Sequence, residues 1–410
     1  MSRAPSERTI VFLVGAVQFV NILDFMMVMP MGPDFAAALH IPVSRLGLIG
    51  GSYTAAACVT GLAGSLVLDR FDRRSALAVA MFGLVVGTVL GGAATGLATL
   101  LIARVIAGAF GGPATSIALS IVSDAVPAER RGKAMGAVMG AFSIASVLGV
   151  PAGLKLARMG GWRTPFFAVG AMGLVIASLA VWLLPSMRAH LDARKGDVAS
   201  ATTFADMFRR PVVLLSYAMT VTATMGMFAL IPNISGHLQR NLGYPRAEIE
   251  TLYFIGGIVS FGVLRLAGRL VDRFGSSAVA TFGTIATIAV LWSGFVREVP
   301  PVPVLLVFVG FMGATGFRNV AYNTLTSRVP RAAERARFMS IQSAAGHAAS
   351  AVGAVLSSQV LYESPSGRLE NVPTLAWFSI AMVSVLPVLM FAVERRVVAE
   401  TPAVAPAIAR

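Results

Sequence analysis

Residues 65–74 read SLVLDRFDRR, and residues 268–277 read GRLVDRFGSS. Both stretches carry Asp-Arg-Phe after two aliphatic residues, and the matched aspartates, Asp69 and Asp272, lie 203 positions apart. Further along each half, VPAERRGKAM and VPRAAERARFM begin with the same separation. Self-similarity at a fixed distance indicates an internal repeat, so the sequence predicts two related halves.

The composition around this repeat is that of a membrane protein. Of the 410 residues, 56% are hydrophobic and 13% are charged, and the mean hydropathy is +0.77. Soluble domains carry about 25% charged residues. Apolar runs of the roughly 20 residues that a helix needs to cross a bilayer recur along nearly the whole chain. A transmembrane barrel would show short alternating segments instead, so we predict an all-α membrane protein.

Twelve membrane-spanning helices are predicted, six in each half. The expected spans are about 10–31, 44–68, 75–97, 99–123, 134–157, 164–185, 211–238, 247–271, 276–296, 302–326, 335–361 and 372–393. The expected domains are an N-terminal six-helix bundle at 1–185, a cytoplasmic central loop at 186–210, a C-terminal six-helix bundle at 211–396 and a cytoplasmic tail at 397–410. Two such pseudo-symmetric bundles are typical of secondary transporters, whose binding sites lie between the halves near the bilayer midplane.

The basic residues indicate the orientation. Loops and ends on the side of the termini hold 21 of the 33 lysines and arginines, the opposite side holds 7, and 5 lie inside spans. Because these residues concentrate on the cytoplasmic side of membrane proteins, we expect both termini in the cytoplasm and the protein in a bacterial inner membrane. This topology accounts for the net charge of +14 without a nucleic-acid partner. The single cysteine, Cys58, excludes a disulfide within the chain.

The repeated motif resembles one of the major facilitator superfamily, in which the loop between the second and third helices carries Gly-x-Leu-x-Asp-Arg-x-Gly-Arg-Arg. The first copy matches this motif at Asp69, Arg70, Arg73 and Arg74, and departs from it at Ser65, Val67 and Asp72. The second copy matches at Gly268, Leu270, Asp272, Arg273 and Gly275, and ends in two serines. The resemblance covers about residues 8–396 and implies the twelve-helix fold of that family, which works by alternating access.

This resemblance implies a cytoplasmic gate built on the charges of the motif. Carboxylate–guanidinium pairs, reinforced by helix-end dipoles, would hold helix ends together when the cytoplasmic side is closed. The residues expected in the gate are Asp69, Arg70, Arg73, Arg74, Arg269, Asp272 and Arg273. The same charges also fit simple positive-inside topology, which stays open as an alternative.

Two further motifs resemble this superfamily, and the second resembles its antiporter-type members. Arg104 and Gly108 in the fourth span resemble its Arg-x-x-x-Gly pattern. In the fifth span LGVPAG, at 148–153, resembles the glycine–proline motif of antiporter-type members. The residues that carry this second match are Gly149, Pro151 and Gly153. Together the motifs imply proton-coupled export of a small organic compound.

The first span contains a carboxylate in apolar surroundings, in the stretch NILDFMMVMP at 21–30. An aspartate at a helix centre costs roughly 2.5–3.5 kcal/mol on membrane-insertion scales, so Asp24 should face a partner or a water-filled cavity. Gln18, Asn21 and Asp24 are spaced by three and share one broad face of the helix. Our hypothesis is that Asp24 is the proton-coupling carboxylate. The alternative is a hydrated aspartate with a structural role near the end of the span.

The fourth span offers a partner for this carboxylate. Arg104, Gly108, Gly111 and Thr115 follow a 4-3-4 spacing that places them on one helix face. The glycines allow close helix approach or leave room for a ligand. Arg104 would pair with Asp24 or with an anionic substrate group, unless it is a structural cation bonded to backbone carbonyls.

The second half contributes polar candidates from the tenth and eleventh spans. Arg318 and Tyr322 lie four residues apart and suit a substrate with an acidic or hydroxyl-rich group, although helix packing is an equal alternative. The full set of cavity candidates is Gln18, Asn21, Asp24, Tyr53, Arg104, Gly108, Thr115, Arg318, Asn319, Tyr322, Asn323 and Gln342. His347 is a second candidate proton carrier, because histidine titrates near neutral pH.

The sequence argues against an enzyme. It holds no Gly-Lys-Ser/Thr phosphate-binding loop, no catalytic triad and no cluster of metal ligands, so no metal or other cofactor is expected and a proton gradient would supply the energy. We therefore predict a monomeric, proton-coupled exporter of a drug-like or sugar-like compound in the lipid bilayer. A proton-coupled importer of an organic anion is the alternative suggested by the arginines inside spans. A membrane receptor that transports nothing is a third interpretation.

Overall fold

The computed structural model describes residues 6–187, 207–331 and 334–400, apart from the side chains at 65–67, 69, 128–129, 131–132, 336 and 400. Within these ranges the chain is helical, with one two-stranded hairpin. The long helices form two six-helix bundles, which is the fold class predicted from the repeat. Most of the expected central loop and tail lies outside the described residues.

The N-terminal half contains α1 to α6. Their bounds are α1 Glu7–Val28, α2 Leu46–Val67, α3 Arg73–Gly92, α4 Leu97–Ala125, α5 as Ala128–Met139, Ala141–Ile144, the π-turn Ala145–Gly149 and Val150–Gly160, and α6 Arg163–Leu183. The π-turn in α5 lies just before Pro151, which cannot donate a backbone hydrogen bond to the preceding turn. A short helix, Gly32–Ala38, follows α1 on the side of the membrane opposite the termini.

The C-terminal half contains α7 to α12. Their bounds are α7 Pro211–Leu230, extended by Ile231–Asn233 and Ile234–Arg240, α8 Ile249–Phe274, α9 Ser276–Leu291, extended by the π-turn Trp292–Val296, α10 Val304–Thr326, α11 Arg335–Val360 and α12 Val372–Glu400. Between α11 and α12, β1 (Tyr362–Glu363) and β2 (Leu369–Glu370) form an antiparallel hairpin.

The predicted bounds differ from the structure by five to seven residues at the end of α3, the start of α5 and the end of α12. The sequence predicts an end of α3 near 97, but α3 ends at Gly92. At the N-terminus of the next helix, α4, the Thr99 hydroxyl accepts a hydrogen bond from the backbone N–H of Gly96. The sequence predicts an end of α12 near 393, yet the helix continues to Glu400. Its last two turns contain glutamates and arginines, which form helices well. A search for apolar runs excludes these residues because they are charged.

The helix α11 differs in composition from the other spans. Eleven described helices are long and apolar enough to cross a bilayer, and α11 does not meet that hydropathy criterion. It packs between α2 of one half and α7 of the other, and buries Gln342, Ser350 and Ser357. Because protein covers much of its surface, α11 carries polar residues at positions where a lipid-facing helix would carry apolar ones.

The two halves meet along two seams, α2 against α11 and α5 against α8. Glycines allow the backbones to approach closely at both seams. A Cβ atom added to Gly47 of α2 would lie 2.0 Å from the carbonyl oxygen of Ala354 in α11. A Cβ atom added to Gly257 of α8 would lie 2.8 Å from the Cα of Val147 in α5. The seams therefore position two independent bundles face to face around the molecular centre.

Candidate functional site

The N-terminal half contains a buried ion pair between Asp24 of α1 and Arg104 of α4. The Nη1 atom of Arg104 donates to both carboxylate oxygens of Asp24, at 3.1 and 3.0 Å. The side chains are 0% and 1% exposed. The hydroxyl of Thr88 in α3 adds a third hydrogen bond to the carboxylate, at 2.8 Å. Three helices therefore converge on one carboxylate inside the bundle.

Tyr53 of α2 connects this ion pair to a second set of hydrogen bonds. The guanidinium carbon of Arg104 lies 4.7 Å from the centroid of the Tyr53 ring, within range of a cation–π interaction. The Tyr53 hydroxyl donates to Asn21 at 2.9 Å. Asn21 in turn donates to the carbonyl of Gly111 at 2.9 Å and to Thr115 at 2.8 Å. The polar stripe predicted on α1 therefore faces α2 and α4.

Glycines of α4 make this arrangement sterically feasible. A Cβ atom on Gly108 would lie 2.1 Å from the backbone oxygen of Tyr53, and one on Gly111 would lie 2.2 Å from the Tyr53 hydroxyl. Gln18, one turn before Asn21, is also buried, and its Oε1 atom has no hydrogen-bond partner among the described residues. Gly108 therefore serves close helix approach in this structure and leaves no room for a ligand.

The buried charges of Asp24 and Arg104 depend on each other. In a low-dielectric interior, a carboxylate and a guanidinium are stable together, and loss of either charge leaves the other uncompensated. Protonation of Asp24 would remove the anionic partner of Arg104 and weaken all three hydrogen bonds to the carboxylate. The charges of Asp24 and Arg104 therefore support the packing of α1, α3 and α4 around one buried site.

A cavity of about 320 Å³ lies between the two halves. Helices α1, α5, α7, α8 and α10 all contribute to its wall. The aromatic and methionine residues that line it are Phe25, Met26, Met29, Phe142, Phe228, Tyr253, Phe308, Phe311 and Met312. Flexible, polarisable methionines beside flat aromatic rings form a wall that adapts to apolar ligands of different shape.

The polar groups of this cavity are few and neutral. They are contributed by Ser146, Tyr253, Ser260, Thr315 and Asn319, and none of the described residues that line the cavity is charged. Ligand sites of this kind are mostly apolar, with a small number of polar groups that fix orientation. The cavity therefore suits an organic molecule with substantial apolar surface.

The stretch NILDFMMVMP contributes to both features. Asp24 points into the N-terminal bundle, whereas the next residue, Phe25, lines the cavity. The Phe25 ring lies 5.1 Å from the ring of Tyr53 and 6.1 Å from that of Phe228 in α7. A continuous series of aromatic contacts therefore joins the ion pair, the cavity wall and the C-terminal half.

The candidate residues of the N-terminal half were expected to line the substrate cavity, but they lie inside the N-terminal bundle. Asp24, Asn21, Gln18, Tyr53, Arg104, Gly108 and Thr115 surround the ion pair inside one bundle, and the described lining of the cavity includes none of them. The physical reason is that Asp24 obtains its partner from Arg104 and so needs no water-filled space. Of the twelve cavity candidates, Asn319 is the one that lines the cavity.

The C-terminal candidates form a second polar group. The hydroxyl of Tyr322 lies 2.8 Å from that of Thr220 in α7 and accepts from Gln342 of α11 at 2.7 Å. Asn323 is exposed and donates to the carbonyl of Asn319. Arg318 is buried, and its environment is treated below.

His347 and the antiporter-type motif lie on the two seams. His347 borders a cavity of only about 20 Å³ between α2, α4 and α11, where Ser116 and Ser340 are among its neighbours. Gly149 ends the π-turn of α5, and Pro151 and Gly153 follow it. Pro151 is partly buried and lines a small pocket together with Glu250 of α8. The motif therefore shapes the helix that forms one seam.

The predicted gate residues lie on the side of the termini. Arg73 donates to Asp124 of its own half at 3.3 Å. The others whose side chains the structure describes are Arg70, Arg269, Asp272 and Arg273, all exposed, and Arg74, which is partly buried. The expectation for the Asp69 side chain lies outside the described residues. Gate pairing between the halves therefore remains a prediction.

Asp72, which replaces a glycine of the family motif, has a local role. It accepts hydrogen bonds from the first N–H groups of α3, at 2.8 and 3.4 Å, and from the hydroxyl of Ser186. Burial raises the pKa of the Asp72 carboxyl, but the hydrogen bonds outweigh burial and hold this pKa below its ordinary value. In the second half the matching residue is Gly275, and Glu394 of α12 caps α9 instead, at 3.2 Å.

The side opposite the termini is closed by contacts between the halves. Arg246, before α8, forms a bidentate pair with Asp34, at 2.6 Å for both hydrogen bonds. Arg158 of α5 donates to Glu250 of α8 at 2.8 Å. Among the described ion pairs, these two alone join the halves. The structure is therefore a conformation that is latched on that side.

Sequence reasoning missed both the cavity wall and this latch. The signal for the cavity was present in the run of Phe25, Met26 and Met29, but an apolar run is equally typical of packing. Asp34 and Arg246 lie 212 positions apart, and no local pattern relates them. They become partners only because the loops after α1 and before α8 meet on one face.

Comparison with known proteins agrees with this fold. The sequence matches the family model of the Major Facilitator Superfamily over residues 14–264 and 216–409. Over 265 residues it is 24% identical to the uncharacterized MFS-type transporter YfhI of Bacillus subtilis. The aligned region makes up 65% of this chain and 64% of YfhI, so the chain matches slightly less than two thirds of the length of that relative. The chain is 22% identical over 299 residues to multidrug resistance protein 2 of Bacillus subtilis, covering 70% of this chain and 74% of the relative. The crystal structure of a D-xylose-proton symporter superposes with a TM-score of 0.72 at 18% identity, over 94% of this chain and 97% of the other.

Proposed function

We propose that this chain, which belongs to the Major Facilitator Superfamily, exports a small, largely apolar organic compound in exchange for protons. Membership of this family makes the chain a membrane transporter and not an enzyme. The observation that carries this proposal is the cavity of about 320 Å³ between the two halves, with its wall of aromatic and methionine side chains. A site shared by both bundles is the one that alternating access exposes to each side in turn.

Proton coupling is assigned to the Asp24–Arg104 pair. Asp24 is the acid that lies deepest in the described spans, and Arg104 balances its charge in the resting state. Phe25 contacts both the cavity and Tyr53, on whose ring Arg104 rests. Occupancy of the cavity and protonation of Asp24 would therefore act on the same few side chains, which is the physical requirement for coupling.

Export is the proposed direction, with both termini in the cytoplasm of a bacterial cell. The resemblance of LGVPAG to the antiporter-type motif and the lipophilic cavity wall support it. Distant similarity to a multidrug resistance protein agrees with it as well. In this orientation the latch of Asp34 with Arg246 lies on the outer side, and the described conformation is the one closed to the exterior.

Import of an organic anion is the second candidate function. The observation that favours it is Arg318, a buried cation for which the described residues provide no carboxylate. Import and export share the same cavity and coupling pair, so they differ in the measured direction of flux and not in the assignment of residues.

The test uses cells that express the protein and three fluorescent probes: Nile red as a neutral compound, ethidium as a cation and fluorescein as an anion. We expect at least one probe to accumulate less than in cells without the protein, and a protonophore to abolish the difference. Asp24→Asn should return accumulation to the level of cells without the protein, because the variant cannot bind and release a proton at this position.

A matched control is Glu298→Gln, which neutralises an exposed carboxylate in the loop between α9 and α10. This variant should export as the wild type does. Higher accumulation of fluorescein in expressing cells would favour the import alternative. Efflux that resists the protonophore and persists in Asp24→Asn would contradict proton coupling.

A further inference from the structure

Arg318 of α10 is a buried cation without a counter-charge. The residue is 1% exposed, and its Nε and Nη1 atoms have no hydrogen-bond partner among the described residues. No carboxylate of the described chain lies within ion-pair distance of it. Arg104, which is equally buried, has Asp24. These two fully buried arginines therefore differ in that a described carboxylate neutralises Arg104 and none neutralises Arg318.

Arg318 lies too deep in α10 to be one of the basic residues that set the orientation of the protein in the membrane. It lies eight residues before the end of α10 at Thr326 and fourteen after its start at Val304. At 1.5 Å per residue, these separations correspond to about 12 and about 21 Å. Basic residues that set orientation lie in loops or at helix ends, where the side chain reaches the interface. Arg318 is too far inside the helix for that role.

Polar groups flank Arg318, and two of them, the hydroxyl of Thr315 and the Oε1 atom of Gln342, have no hydrogen-bond partner among the described residues. Thr315, one turn earlier, lines the central cavity. Tyr322, one turn later, accepts from Gln342, whose own Oε1 atom is unpartnered. Asn319 follows Arg318 directly and lines the cavity. Two cavity-lining residues of α10, Thr315 and Asn319, therefore lie within one helical turn of Arg318.

We propose that this stretch of α10 binds the anionic group of the substrate, a carboxylate or an oxyanion of similar size. The guanidinium of arginine presents paired N–H donors that match two oxygens of one such group. The apolar part of the same molecule would occupy the cavity wall formed by aromatic and methionine residues. The inference rests on the proposed function and narrows its substrate class to amphipathic organic anions.

This assignment gives different roles to Arg104 and Arg318. Arg104 stays with Asp24 in the N-terminal bundle and serves the proton, whereas Arg318 in the C-terminal bundle serves the substrate charge. The cavity wall alone cannot distinguish a carboxylate from its amide, since the described lining is uncharged. Arg318 would supply that discrimination, because an anion is favoured in an apolar interior only where a cation compensates it.

The test compares 2-naphthoate with 2-naphthamide, which have the same ring system and differ in charge. Thermal unfolding of the purified, full-length protein is followed in detergent with a concentration series of each compound. We expect 2-naphthoate to raise the midpoint of wild type in a saturable manner and 2-naphthamide to have a much smaller effect. In Arg318→Gln the two compounds should become equivalent.

Arg297→Gln is the matched control, because Arg297 lies in an exposed loop against the ring of Trp292 and should leave the preference intact. If Arg318→Gln does not fold, Arg318→Lys retains the charge and should show a weaker but detectable preference for the carboxylate. Equal effects of the two compounds on wild type, or a full preference in Arg318→Gln, would overturn the proposal. Proton-coupled export of Nile red without any preference for 2-naphthoate would leave the proposed function standing and exclude an anionic substrate.

Discussion

Exchange of Arg104 for glutamine will lower the free energy of unfolding by about 3–5 kcal/mol, the cost of removing one partner from a buried ion pair. Asp24 is fully buried and accepts two hydrogen bonds from this arginine, and Thr88 alone cannot replace them. The measurement is unfolding in mixed detergent micelles, followed by circular dichroism, at a pH where carboxylates are ionised.

The double variant Asp24→Asn/Arg104→Gln provides the decisive comparison. It removes both charges and should recover much of the stability lost in Arg104→Gln, because no unpaired charge remains. Arg297→Gln, which removes an exposed arginine, should change stability little. Additive losses in the double variant would mean that the two side chains do not act as a pair, and would remove the physical basis of the proposed proton coupling.

Exchange of Gly47 for alanine will shift the protein away from the latched conformation. The new Cβ atom would lie 2.0 Å from the carbonyl oxygen of Ala354, which belongs to the other half. Overpacking of this kind costs about 1–3 kcal/mol, and here the cost applies to one conformation. An energy difference of that size changes a two-state ratio by about 5- to 150-fold. The readout is the distance between spin labels at His40→Cys and Ser366→Cys, on opposite halves of the latched face, in a Cys58→Ser background.

Gly353→Ala is the control for this experiment. Its Cβ atom would lie 2.3 Å from the carbonyl oxygen of Met225, but both residues belong to the C-terminal half. The clash is similar, yet it persists in every arrangement of the halves, so stability should fall while the label distance stays unchanged. A longer distance population in Gly47→Ala alone supports motion of two bundles as units. Equal behaviour of the two variants would contradict it.

The architecture was predictable because its determinants are patterns that can be read directly from the sequence. Apolar runs define helices in a bilayer, and a repeat with a constant offset defines two halves. The pairing of Asp24 with Arg104 was also within reach, since two opposite charges buried in one bundle have few other partners. α11 was predicted correctly as a long helix, and its polar composition follows from burial between two other helices.

The cavity and the latch were not predictable, because their determinants are relations between distant segments. Phe25 and Phe308 line one cavity from different halves, and nothing in either apolar run distinguishes them from residues that pack in the core. Asp24 was expected to face a partner or a water-filled cavity, and it faces the partner Arg104. The sequence left this choice open because a helix stripe defines a face but not the neighbour that this face meets. Only the packing of α1 against α4 decided that neighbour.

The most direct test of the account is proton movement in a purified system. The protein is reconstituted into vesicles that contain the pH-sensitive dye pyranine, and a panel of neutral, cationic and anionic organic compounds is added without an imposed gradient. We expect one class of compound to cause a pH change in vesicles with wild type and none in vesicles with Asp24→Asn, while Glu298→Gln behaves as wild type does. Transport of a compound by wild type without a pH change, or the same pH change in Asp24→Asn, would contradict coupling through the Asp24–Arg104 pair.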